Sequence, residues 1–287
     1  MGSEPTQRPL VSVVTTVKNE QRHIGRLLDS LLAQEEPYEV IVVDALSRDR
    51  TFDITDRYAR EHPQKFRVVR RFGSRGIGRN TGVGLARGEF VAFIDGDCFA
   101  DSQWLRALRA GLGRSDVVAG KTVAVGNAHY SDLERVELIQ RGSDVTFPSC
   151  NLAYRRSLFE ALGGFDPRFI TAEDIDLNLR AVEGGASPEY VPSALVYHQM
   201  RTTLLRFLYQ AFWNGYGRKQ LTEKHGSLWT SYRFSRLFET QRRRPVAWLR
   251  LAAALAGYLT RVLTGSGQRL SRVSPGSTPT SAASRTA

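Results

Sequence analysis

The sequence predicts an α/β fold in which a mixed, mostly parallel sheet is flanked by helices and followed by a basic helical extension. Three observations carry that expectation. The first hundred residues alternate short β-branched runs with amphipathic stripes, the rhythm of strand–helix–strand units. The residues just after the apolar runs are polar and mostly acidic. The excess positive charge is confined to the last third of the chain.

Taken in order, residues 11–17 are rich in Val and Thr and read as a buried strand. Ile24, Leu27, Leu28, Leu31 and Leu32 then form one stripe of a helix, with Asn19 as its expected N-cap. Residues 40–43 make the next strand, 51–60 a helix, 66–69 a third strand and 90–94 a fourth. Beyond Asp97, helices are expected near 103–111, 131–140, 156–162 and 173–183, and strands near 117–125 and 194–197. After His198 the chain turns helical and aromatic through Phe207, Tyr209, Phe212, Trp213 and Tyr216. From Ser266 onward Ser, Thr, Pro and Gly dominate and no acid occurs, so disorder is expected there.

At 287 residues and 41% hydrophobic, the chain can bury one large core, or a domain with a smaller appendage. Cys98 and Cys150 are its only cysteines and form no CxxC pair, which argues against a disulfide framework or a zinc knuckle and for a reducing compartment. Residues 1–9 are polar and lack the apolar run of a signal peptide, so a cytoplasmic location is expected. The formal net charge is +11, yet residues 201–287 alone carry fifteen Lys and Arg against Glu223 and Glu239. Residues 1–200 are close to neutral, at −2. A basic flank beside aromatic helices fits an anionic membrane surface or a lipid phosphate, and no nucleic-acid partner is expected.

Rossmann-like sheets bind ligands at the carboxyl ends of their strands. Here those ends carry Lys18, Asn19 and Glu20, then Asp44, then Asp95, Gly96 and Asp97, where a dehydrogenase would show a glycine fingerprint after its first strand. In Asp95-Gly96-Asp97 the two carboxylates lie two residues apart and can converge, while the glycine lets a phosphate approach the backbone. Two hard oxygens suit Mg²⁺ or Mn²⁺ rather than zinc, and such an ion would bind a diphosphate. The alternative is a loop whose acids cap the next helix.

Four segments in this order, VSVVTTVKNE, EVIVVDALSRDRT, GIGRNTGVGLARGEFVAFIDGD and TAEDIDLNLR, resemble the signatures of family 2 glycosyltransferases over roughly residues 9–225. The resemblance implies a GT-A fold, a nucleotide-diphosphate sugar donor, a Mn²⁺ or Mg²⁺ cofactor and an inverting single displacement. Carried onto this sequence, it implies that Thr15, Val17, Asn19 and Glu20 line the base and ribose and that Asp44 binds the uracil or ribose. The family's second acid is replaced here by Ala45, which leaves UDP and GDP both open. Arg79 and Asn80 fall at the donor diphosphate and sugar, with Gly76 allowing close approach. Asp95 serves both donor and metal, and Asp97 and His198 the metal. Ser149, Asn151 and Arg155 lie near the donor sugar or the acceptor, Glu173 orients the acceptor, and Asp174 is the base. Helix capping for Glu20, Asp44 and the Glu173-Asp174 pair, a tightly packed helix for the glycine-rich run and a structural His198 remain the alternatives. Cys98 reads as a small packed residue.

The expected organisation is a tail at 1–8, a catalytic domain at 9–200, a membrane-facing helical extension at 201–265 and a disordered tail at 266–287. Residues 246–263 approach the length of a membrane span, but Arg250 and Arg261 interrupt them. Trp248, Leu251, Leu255, Leu259 and Val262 form one stripe, and Arg250, Ala254, Gly257 and Arg261 another. That pattern fits a helix lying in the interface with its arginines reaching headgroups, aided by Arg242, Arg243 and Arg244, for a peripheral attachment. A helix packed on the catalytic domain is the alternative. The expected acceptor is lipid-linked or a cell-envelope glycan. The QxxRW motif of the family's processive synthases is missing, so single-sugar addition is expected. A nucleotidyltransferase using the same acids, and a non-catalytic membrane or nucleic-acid binding module, are the competing classes.

Overall fold

The β-branched runs become the strands expected of them. In the computed structural model, which describes residues 10–126, 136–199, 203–233 and 245–265, β1 (Val11–Val17), β2 (Tyr38–Asp44), β3 (Phe66–Arg70) and β4 (Phe90–Phe93) pair in parallel. The sheet continues with β5 (Cys98–Ala100) and β6 (Val117–Val125). A separate small sheet holds β7 (Glu137–Gln140) and β8 (Ser143–Asp144), and the main sheet is completed by β9 (Leu152–Arg155) and β10 (Glu189–Gln199). Its order is β3-β2-β1-β4-β9-β6-β10-β5. β9 runs antiparallel between β4 and β6, and β5 antiparallel to β10, which makes the sheet mixed.

Alternation along each strand assigns the two faces. Val11, Val13 and Val17 pack with Val40 and Val42 beneath α1 (Ile24–Leu32), α2 (Thr51–Glu61) and α4 (Trp104–Leu112). Val14, Ile41 and Val43 face the opposite way, toward α3 (Arg75–Gly84), α5 (Arg156–Ala161) and α6 (Glu173–Glu183). The stripe Ile24, Leu27, Leu28 and Leu31 is fully buried, and each such side chain contributes about 1.5–3 kcal/mol. The glycines of α3 have a packing reason. A Cβ at Gly82 would stand 2.4 Å from Val14, and one at Gly78 2.6 Å from Thr16, so the helix lies closer to β1 than any larger residue allows.

Two local expectations are corrected. Asn19 does not cap α1: it sits at φ 57° and its Oδ1 accepts from the Arg48 amide at 2.9 Å, while a turn from Glu20 intervenes before the helix begins at Ile24. The helix expected at 131–140 is instead a strand over Glu137–Gln140, with 131–135 outside the described residues. Arg141 and Gly142, at φ 47° and 83°, close a tight turn into β8, and alternation buries Leu138.

The aromatic segment after β10 forms α7 (Leu204–His225), followed by β11 (Tyr232–Arg233) against β7 and by α8 (Pro245–Thr264). The boundary expected near residue 200 falls at the end of β10, yet Leu221 and Leu228 share a core with Phe169, Ile175 and Leu179. Buried charge also ties α7 to α6. Lys224 Nζ lies 2.8 Å from Asp166 and 2.7 Å from Asp176, which pairs in addition with His225 at 2.8 Å and Arg180 at 2.8 Å. α8 crosses α7 where glycines meet backbone: a Cβ at Gly215 would fall 1.7 Å from the Ala254 carbonyl, and one at Gly257 1.8 Å from that of Phe212. Tails 1–8 and 266–287 and Arg242, Arg243 and Arg244 lie outside the described residues.

Candidate active site

Three parallel strands end side by side, and their loops are stitched together by short polar links. Asn19 donates its amide to Ser47 Oγ at 2.9 Å, and the Glu20 amide donates to Thr51 Oγ1 at 2.7 Å. Asp44 is fully buried and accepts the Ser47 amide through both oxygens, at 2.8 and 3.0 Å, so it braces the turn after β2. A Cβ at Gly96 would meet Val17 at 2.9 Å and Glu20 at 3.2 Å, which seats the Asp95–Asp97 turn on the end of β1. Thr15 Oγ1 is buried beneath this junction without a hydrogen-bond partner, a group a bound ligand or water would satisfy.

Arg79 is the hub. Only 1% exposed on α3, it donates from Nη2 to Asp95 Oδ1 at 2.7 Å and from Nη1 to Glu173 Oε1 at 2.8 Å. Burial works against its charge, but the Asp95 and Glu173 carboxylates outweigh it and hold the guanidinium protonated beyond its ordinary range. The rigid fork matches two acceptors, a task lysine cannot perform. Arg75, one turn earlier, stands 3.6 Å from Glu173 with half its side chain exposed to the cleft. Sequence reasoning passed over it, although its place as first residue of the glycine-rich helix was the available signal.

The acidic pair does not converge on one point. Asp95 turns to Arg79, whereas Asp97 Oδ2 faces His198 Nε2 at 3.4 Å. The donor atoms that gather, all within 4.8 Å of one another, belong to Asp97, Cys98 and His198. Asp95, expected as a ligand beside Asp97 and His198, lies outside this cluster and is paired with Arg79 at 2.7 Å. His198 is placed by strand register, opposite Cys98 on β5. Burial depresses the imidazole, but the hydrogen bond and charge of Asp97 prevail and push it up to about 9. A carboxylate and an imidazole at this spacing fit a divalent ion, and Asp97 with His198 would hold it.

Asp174 sits half-buried in the first turn of α6, beside Glu173. Its Oδ2 accepts from the Ser149 amide at 3.0 Å and lies 3.4 Å from Ser149 Oγ, and its Oδ1 accepts from the Ile175 amide at 2.9 Å. Burial and the neighbouring Glu173 charge raise its carboxyl above the ordinary range, against the opposing pull of the Ser149 amide and Arg79. The result is a fixed, more basic carboxylate facing the same cavity as Asp95 and His198, about 720 Å³ in volume.

Other expected residues are occupied elsewhere. Asn151 is fully buried, with its amide donating to Lys121 and Ala194 carbonyls and accepting from Trp104 Nε1, so it ties β6 to β10 and has no surface for a sugar. Asn80 pairs both amide atoms with the Phe165 backbone at 2.7 and 2.9 Å. Gly76 approaches Phe165, 3.3 Å from an added Cβ. Arg155 pairs on the surface with Asp116 at 2.6 Å and with Glu89 at 2.5 Å. These four lie outside the residues lining the cavity. The far side of the cavity is instead built from α7 and α8, including Asn214, Arg218, Trp248 and Leu255, and Arg218 Nη1 is buried there without a hydrogen-bond partner.

The chain matches the family model described as glycosyl transferase family 2 over residues 12–163. It is 28% identical over 210 residues to glycosyltransferase AglE of Haloferax volcanii, covering 67% of this chain and 68% of AglE. It is 31% identical over 240 residues to the pre-mycofactocin glycosyltransferase of Mycobacterium tuberculosis, covering 78% of this chain but only 49% of that relative's length. Among solved structures, the mannosyltransferase PcManGT from Pyrobaculum calidifontis in complex with GDP-Man and Mn²⁺ aligns with a TM-score of 0.61 at 22% identity, over 92% of this chain and 78% of that one. S. aureus TarS in complex with UDP-GlcNAc aligns with a TM-score of 0.57 at 20% identity, over 88% and 82%. These structural likenesses establish the GT-A fold. With more than half its length matched by the family model and strand-end acids disposed on a GT-A sheet, the chain belongs to glycosyl transferase family 2 and is a glycosyltransferase.

Proposed function

We propose that the protein transfers a single sugar from a UDP- or GDP-sugar to a lipid-linked or cell-envelope glycan acceptor, with inversion and with Mn²⁺ or Mg²⁺ as cofactor. One observation carries the reading: Asp174, Asp95 and His198 line a single cavity that continues to the exposed apolar side chains of α8. The nucleotide is assigned to the ends of β1 and β2, between Thr15, Val17, Asn19, Glu20 and Asp44. Asp97 and His198 would hold a divalent ion, which would supply positive charge against the diphosphate. Arg79 holds Asp95 and Glu173 oriented around the donor sugar. Asp174, aligned by the Ser149 amide, takes the proton of the acceptor hydroxyl as it attacks the anomeric carbon from the face opposite the nucleotide. The orphan Nη1 of Arg218 is suited to an acceptor oxygen or phosphate in the same cleft.

The membrane reading rests on α8. Among the described residues it is the one helix long and apolar enough to cross a membrane by length and composition. Trp248, Leu251, Leu255, Leu259 and Val262 are each 43–57% exposed along one stripe. That stripe fits an interfacial helix beside a lipid-linked acceptor, with the basic chain drawn to anionic headgroups.

Thermal unfolding of the purified protein against a panel of nucleotide sugars, with and without Mn²⁺, tests the donor and metal assignments. A rise in Tm that needs both components supports them and names the nucleotide. A folded protein that no nucleotide sugar stabilises overturns them.

A further inference from the structure

Cys98 and Cys150 bring two thiols to the back of the metal position. Cys98 Sγ is 3.9 Å from Asp97 Oδ1, and Asp97 Oδ2 is 3.4 Å from His198 Nε2. Ligand atoms held 2.0–2.3 Å from a tetrahedral ion stand roughly 3.3–3.8 Å apart. One ligand atom from each of Asp97, Cys98 and His198 lies within 4.8 Å of the others, somewhat wider than those edges but gathered around one position. Cys150 is buried in the same core cluster as Cys98 and lines the cavity together with His198. Thr122 Oγ1 steadies it at 3.8 Å. Neither cysteine is disulfide-bonded. A site built only for Mn²⁺ or Mg²⁺ has no use for sulfur, since hard ions take oxygen ligands and thiolates select softer ones.

We infer that Asp97, Cys98 and His198, with Cys150 adjacent, form a mixed carboxylate–imidazole–thiolate site that captures a thiophilic divalent cation such as Zn²⁺ or Co²⁺. The inference deepens the metal assignment of the proposed transfer site but uses ligands that the transfer itself does not require. On capture, the Cys98 S–H bond is replaced by a sulfur–metal bond and the proton leaves to solvent, with no change of oxidation state. Because Asp97 and His198 are shared, a thiophilic ion and the hard ion exclude each other. Zn²⁺ therefore acts as a competitor of Mn²⁺ at this site.

Cobalt reports the sulfur directly. Co²⁺ titrated under reducing conditions into the full chain, without nucleotide, is expected to give a thiolate-to-metal charge-transfer band in the near ultraviolet. The band is displaced by Zn²⁺, is absent in Cys98→Ser, and is lost together with Co²⁺ affinity in His198→Gln. Zn²⁺ binding by Cys98→Ser is expected to weaken by at least about tenfold. Cys98→Ala serves if the serine variant does not fold, and circular dichroism checks both. Bound Co²⁺ with no charge-transfer band, or a band that persists when Cys98 is replaced, overturns the inference. Neither result bears on nucleotide-sugar stabilisation with Mn²⁺, so the two readings fail separately.

Discussion

Arg79 and Asp95 are joined at 2.7 Å although sixteen residues separate them, and the same guanidinium reaches Glu173, ninety-four residues away, at 2.8 Å. One side chain thus fixes the orientation of two acids. Arg79→Lys keeps the charge but loses the fork. The expected result is a folded enzyme whose kcat/KM falls about 100-fold, or ~2.7 kcal/mol of transition-state stabilisation. Steady-state kinetics at saturating Mn²⁺ measure it, and wild-type kcat/KM in this variant would remove Arg79 from the mechanism.

Asp174 has a carboxyl raised by burial and by Glu173. A base must be ionised to act, so kcat/KM is expected to fall as pH drops through this raised value, at higher pH than an ordinary carboxylate would give. Asp174→Asn is expected to lower kcat by about 10²–10⁴-fold and to abolish that acid limb, while donor-dependent stabilisation survives. A pH profile of the residual activity that kept the limb would assign the base elsewhere.

Lys224 balances Asp166 and Asp176 inside the contact between α6 and α7. Lys224→Met removes the one cation shared by both buried carboxylates and is expected to destabilise the fold by about 3 kcal/mol, read by urea denaturation. The same cluster predicts a pH dependence of stability. Burial would raise both carboxyls, but Arg168 and Lys224 hold Asp166 low, and His225, Arg180 and Lys224 hold Asp176 low. A depressed folded-state pKa contributes stability above the unfolded value, near 3.8, and loses it as pH falls through the folded value. Tm is therefore expected to drop steeply below about pH 4, and less steeply in Lys224→Met.

Leu255 and Leu259 are 57% and 50% exposed on α8, away from the glycine crossing with α7. Replacing both by Glu removes apolar contact and adds repulsion from anionic lipid. Co-sedimentation with phosphatidylserine vesicles is expected to weaken about tenfold, while thermal stability changes by no more than about 0.5 kcal/mol per substitution. Unchanged sedimentation would count against this face as the membrane contact.

Family membership sets aside the nucleotidyltransferase and the non-catalytic binding module that the charge pattern left open. It also follows signals that were local. The β1 strand and the α1 stripe were visible because burial imposes periods of two and 3.6 on neighbouring residues. The bounds of α6 and β6 were visible for the same reason. The strand at Glu137–Gln140 was missed because its pairing is set by the turn at Arg141 and Gly142, not by its own composition. Arg261 was expected to reach headgroups, yet it turns inward to Glu223 at 2.8 Å and leaves the leucine stripe facing out.

By itself the sequence determined the strands, the helical stripes, the acids at the strand ends and the order of four family motifs, because each is written in residues close together in the chain. The tertiary structure alone decided which of those polar groups have partners. Asn80 is filled by backbone hydrogen bonds and Asn151 by two carbonyls and Trp104, Asp95 and Glu173 share Arg79, and Asp97 meets His198 of β10. A polar group is committed or available only through neighbours distant in sequence, and folding alone brings those neighbours into contact.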